Sequence, residues 1–168
     1  MTRTFAPAVA LAAALLSSTA MAQETVGSID GILDGRQVSF VVMDGEDAQT
    51  GWSDTEDGIQ VTLDAYPADS PMSDENRLLI EFTAQTATRM PEMTEGTVTL
   101  TRGDDPLTAT DDAIDLSLNN LEVQGESLLV TANIRVTMAQ TEENVSVVSP
   151  AGVTMSADLQ ATVIRAED

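Results

Sequence analysis

The sequence predicts an all-β fold: a single antiparallel β-sandwich, or a small up-and-down barrel, of about eight strands behind a helical signal segment. Three observations predict it. Apolar and polar residues alternate over most of residues 23–168, which is the period of a half-buried strand. Gly, Pro, Asn and Asp recur between the alternating runs, and short strands separated by such turn signals mark sandwiches and barrels. After residue 22 no segment keeps the 3.6-residue stripe of a helix.

Residues 1–22 read as a secretory signal. Arg3 is the only charge, an apolar run follows from Ala6 to Leu16, and a small-residue site closes it at Ala20-Met21-Ala22. The run falls short of the roughly 20 apolar residues that span a bilayer. Cleavage after Ala22 would leave Gln23–Asp168 as one β-sandwich domain in the periplasm or outside the cell.

The mature chain opens with Thr25–Leu33 and Gln37–Met43 on either side of Asp34-Gly35, a strong short-hairpin signal. Gly27 and Gly31 weaken the first of these strands and suggest close backbone packing or a sheet edge. Asp44–Asp57 reads as an acidic loop. Ile59, Val61, Leu63 and Ala65 then alternate with Gln60, Thr62, Asp64 and Tyr66. Pro67–Asn76 is a loop with room for a short helical turn. Leu78, Ile80 and Phe82 form the next apolar row, Gln85–Glu95 a loop, and Val98 and Leu100 another row. Gly103–Asp112 reads as a loop.

The segment Ala113–Val123 changes phase. Ile114, Leu116 and Leu118 share one parity, while Leu121 and Val123 share the other. One extra residue at Asn119-Asn120 would restore all five to one face, which is what a β-bulge does. Gln124-Gly125-Glu126 turns the chain into the longest run, Leu128 to Met138. A short run at Val145–Val148 and a last strand at Val153–Val163 complete the pattern.

Composition excludes more chemistry than it supports. Among 168 residues there are 28 acids, seven arginines, and no Lys, His or Cys. Imidazole bases, thiolate nucleophiles, lysine Schiff bases, histidine-dependent serine triads and the usual zinc sites are therefore absent. A formal charge of −21 repels nucleic acid and anionic membrane surfaces. No apolar run after the signal is long enough to insert in a membrane as a helix. The missing side chains favour a non-enzymatic binding or structural role, with a protein or a cell-envelope component as partner.

Three other readings stand beside it. A calcium-dependent module would draw on two base-free acidic stretches. One, at 44–57, holds Asp44, Glu46, Asp47, Asp54, Glu56 and Asp57. The other, at 104–115, holds Asp104, Asp105, Asp111, Asp112 and Asp115. Calcium takes six to eight oxygens, and carboxylates on glycine-containing loops supply them, but the spacing is not that of an EF-hand. A small barrel could hold an apolar ligand. A carboxylate hydrolase needs only two acids at a set separation, though no pair is singled out. Met90 and Met93, with Met72, have the softness for Cu(I) but lack the usual histidine. Trp52, the only indole, is either a recognition anchor or a plug for one end of the domain.

Overall fold

The computed structural model describes residues 23–56, 58–71, 73, 75–86, 90–102, 105–140 and 152–166. The signal segment and the run at Val145–Val148 lie outside these residues. Ten strands follow one another: β1 (Glu24–Leu33), β2 (Arg36–Asp44), β3 (Gly51–Thr55), β4 (Gly58–Pro67), β5 (Leu78–Gln85), β6 (Glu92–Arg102), β7 (Asp105–Thr110), β8 (Ile114–Gln124), β9 (Ser127–Gln140) and β10 (Val153–Ile164). The only helical element among the described residues is a 3-10 turn at Asp111–Ala113.

The strands form one large antiparallel sheet in the order β10-β1-β2-β4-β5-β6-β7-β9-β8, with β3 added on β4. β10 also pairs β9 along its whole length, Val153 against Met138 to Ile164 against Ser127. The pairings therefore run in a circuit from β1 through β7 and β9 to β10 and back to β1.

Alternation decides which face is inside. In β10, Met155, Ala157, Leu159, Ala161 and Val163 are buried and the residues between them are exposed. β9 buries Leu128, Val130, Ala132, Ile134, Val136 and Met138 in the same way. These rows join those of β1, β2, β4, β5 and β6 in one apolar cluster. Burial of each Leu or Ile contributes about 1.5–3 kcal/mol.

The turns follow the local chemistry. Asp34 and Gly35 both take positive φ, 52° and 77°, as a type I′ hairpin turn requires. Gly27 and Gly31 mark close packing, not an edge. They stand opposite Ala161 and Ala157 of β10, and a Cβ at either would lie 2.6 Å from the alanine Cβ. The bulge in β8 is present: register shifts between Leu118 and Asn120, so that Leu118 faces Ala132 and Leu121 faces Val130.

Three expectations need correction. The stretches 44–57 and 103–112 are not continuous loops. Each carries a short strand, β3 and β7, because a sheet edge is available to pair it: β4 for β3 and β6 for β7. β6 starts at Glu92, inside the segment read as a loop up to Glu95. Asp64 and Tyr66, placed by parity on the wet face, are buried. Segment 49–50, just before β3, runs against Asp64, with Gln49 N donating to Asp64 Oδ2 at 3.1 Å and Asp64 N donating to Thr50 Oγ1 at 3.0 Å.

Asp64 is the buried charge of the structure among the described residues. Arg77 meets it with two hydrogen bonds, Nε to Oδ1 and Nη2 to Oδ2, both 2.7 Å. Tyr66 Oη donates at 3.3 Å, and the guanidinium lies 5.7 Å from the Tyr66 ring centre. Breaking such a pair leaves a charge without its counterpart, at a cost of several kcal/mol. Asp64→Ala should lower unfolding free energy by about 3 kcal/mol. In a denaturant double-mutant cycle the loss should shrink sharply when Arg77 is Met. Equal losses in both backgrounds would mean that Asp64 acts through the loop contacts alone.

Candidate functional site

The acidic stretches do not assemble a cation cage among the described residues, where no three acids form a group able to hold a metal ion. β3 and β7 are separated in the pairing order by β4, β5 and β6. That is four strand spacings, about 19 Å along the sheet. Several of the acids have local work instead. Asp44 accepts from its neighbour Gly45 N at 2.8 Å. Asp54 pairs with Arg165. Glu46, Asp47 and Glu56 are exposed in turns. Asp57 and Asp104 lie outside the described residues, and Asp105 is described only in its backbone, as the start of β7 opposite Arg102.

Asp111 has a particular task. β7 follows β6 only as far as Thr110 against Thr97, after which the chain steps away into β8. Gly96 of β6 is left without a strand partner on that side, and Asp111 Oδ1 accepts its N–H at 3.1 Å. Asp111 reaches it with φ of 38°, a left-handed conformation that Asp tolerates better than most residues. Asp112 and Asp115 instead line a surface cleft beside Arg135.

Trp52 is a plug. It is 1% exposed, and its Nε1–H donates to Glu126 O at 2.9 Å. The Arg165 guanidinium stacks 4.5 Å from the ring centre, and Ala166 N donates to Trp52 O at 2.8 Å. β3 thus ties the turn before β9 to the end of β10. Met93 packs against the core and Met90 is exposed; Met72 lies outside the described residues.

The sequence reading missed the cleft at the Asp34–Gly35 end. β4 stops at Pro67, opposite Phe40, so the stretch of β2 from Arg36 to Val38 has β1 on one side and no strand on the other. The turns after β4 close over the gap, held by Ala68 N donating to Ser39 O at 2.9 Å. Thr101 N donates to Arg77 O at 2.8 Å and brings the end of β6 beside them. The resulting cleft measures about 430 Å³, within the usual range for small-molecule sites.

Leu33, Val38, Phe40 and Pro67 give the cleft an apolar floor, and Arg36, Arg102, Asn76 and Ser39 give it polar walls. Arg77 and Arg165 are each committed to an aspartate. Arg36 and Arg102 are exposed and have no acid within ion-pair distance among the described residues. Among the described residues the one acid lining the cleft is Asp69. Guanidinium groups over an apolar floor recognise carboxylate-like groups by paired N–H donors. The only signal in the sequence was the scarcity of arginine, and nothing in it links residue 36 to residue 102.

The metal reading has a direct check. Screening of like charges acts almost equally for calcium and magnesium at matched ionic strength. A calcium cage would add about 2.7 kcal/mol at a hundredfold excess over Kd. Thermal melts should show no calcium-specific rise. A rise lost in Asp54→Asn or Asp111→Asn would restore the metal reading.

No family model matches the chain, and comparisons with curated proteins and with solved structures return no match.

Proposed function

We propose that the chain is an exported, water-soluble small barrel that binds and does not catalyse. Its ligand site is the Arg36–Arg102 cleft, and its ligand is a small molecule with an anionic group on an apolar body. The observation that carries the reading is the convergence on one cleft with an apolar lining of two arginines that have no ion-pair partner among the described residues, in a chain whose formal charge is −21.

Closure as a barrel is supported by the double pairing of β10 with β1 and β9. Solubility is supported by the outward rows, such as Asn133, Arg135 and Thr137 on β9 and Ser156, Asp158 and Gln160 on β10. A lipid-facing barrel would carry an apolar band there. Export rests on the pattern of residues 1–22. Intact mass of the secreted protein should correspond to a chain beginning at Gln23, and a retained leader would count against export.

An internal apolar ligand is disfavoured because Leu63, Leu78, Ile80, Leu100, Leu128 and Ile134 meet in the interior, each 1% exposed or less. A hydrolytic carboxylate is disfavoured because Asp64, the buried acid, is engaged by Arg77, Gln49 and Tyr66. The binding test uses octanoate, with octanol as its uncharged counterpart. Octanoate should shift the amide resonances of Arg36–Phe40 and Arg102 saturably, and octanol should not. Arg36→Glu and Arg102→Glu should each weaken octanoate about tenfold, the scale of one lost charge-assisted hydrogen bond. Saturable binding that ignores both substitutions, or none at all, would sink the proposal.

A further inference from the structure

β8 is an edge. Among the described residues it pairs only with β9, and its other side faces β6, which pairs with β5 and β7 instead. The seam between β6 and β8 is closed at one end. There Asp111 takes the Gly96 N–H, and the Ile114 side chain lies 3.4 Å from where a Cβ of Gly96 would be. Towards the turn at Gly125 cover fades: Ile114 and Leu118 are 7% exposed, and Val123, on the same face, is 46% exposed. Leu121 and, on β6, Met93 are only partly buried.

An open edge beside half-covered apolar side chains is a template for one more strand. Natural edges are usually blunted by Lys, Pro or a bulge. β8 has no Lys and no Pro, and its bulge, between Leu118 and Asn120, lies at the very start of the exposed stretch. Charge selects the occupant. Glu92 and Glu95 on β6 and Glu122 on β8 are exposed, and neither β8 nor the segment 92–96 of β6 carries an arginine. A second copy of β8 would bring its own acids to the same seam. We propose that the free edge of β8 at residues 119–124 receives an extended, cationic, alternately apolar segment of a partner protein by strand addition. The site is separate from the arginine cleft and does not depend on it.

The probe is a synthetic octapeptide alternating Val and Lys. Two controls accompany it: a Val and Glu peptide, and the Val and Lys peptide N-methylated at every second residue, which keeps its charge but loses one hydrogen-bonding edge. The unmodified cationic peptide should bind saturably and slow amide exchange at residues 119–124. N-methylation and the Glu peptide should each weaken binding at least tenfold. Glu95→Lys with Glu122→Lys should also weaken it about tenfold without lowering the melting temperature. Four results would overturn the proposal: no saturable binding, equal binding of the N-methylated peptide, exchange protection elsewhere than β8, or self-association of the chain that itself protects β8.

Discussion

The rest of the structure depends on the contact between β1 and β10. The other neighbouring pairs in the order from β1 to β9 are consecutive strands or have one strand between them, whereas β1 and β10 come from opposite ends of the described chain. Their approach brings the outer rows of the sheet together over one cluster. It is allowed by small residues: Gly27 and Gly31 on β1 stand against Ala161 and Ala157 on β10, with no room for a Cβ on the glycines. Ile29, between the two glycines, faces Leu159, and both are buried. Removal of side chains at two positions lets the strands curve together, while the large pair between them keeps the apolar row continuous. Glycine inside a strand often marks such a site, where another backbone approaches closely.

What was legible in the sequence was what local periodicity can carry. The alternation of Leu128 to Met138 and of Val153 to Val163 fixed both the strands and their inner faces. The phase change at Asn119-Asn120 fixed a bulge, because a one-residue slip would otherwise send Leu121 and Val123 to the outside. What was not legible was set by neighbours. β3 and β7 are short and acidic, and they become strands only because β4 and β6 offer them edges. Asp64 and Tyr66 have the parity of a wet face, and only segment 49–50 and Arg77, brought across in space, make that position dry. The cleft was illegible for the same reason: Arg36 and Arg102 come to line one cleft beside the early end of β4.

The acidic composition has a structural side. Asp44, Asp64 and Asp111 accept from backbone N–H groups, and Asp54 and Asp64 hold arginines. These carboxylates work singly, each at a point where a strand ends, a loop crosses or a pairing lapses. Spacing along the sheet also separates β3 from β7, the strands within the two acidic stretches. Of the dense runs, Asp44, Asp54 and Asp111 each have a separate local partner among the described residues.

The two proposed binding places share a cause. A sheet with an apolar inner row and a polar outer row leaves little surface where apolar side chains meet uncommitted polar groups. Such surface arises where a strand pairing stops short. β4 leaves β2 at Phe40, and the gap exposes Val38 beside Arg36. β7 leaves β6 at Thr97 and the chain goes on into β8, whose far end carries the exposed Val123 and, among the described residues, pairs only with β9. The gaps differ in what they offer. The first is bordered by guanidinium groups and suits a compact anion; the second is bordered by carboxylates and an open run of backbone, and suits an extended cation. Closing either gap with further pairing would improve the sheet and remove the site, so binding and complete pairing are alternatives at these positions.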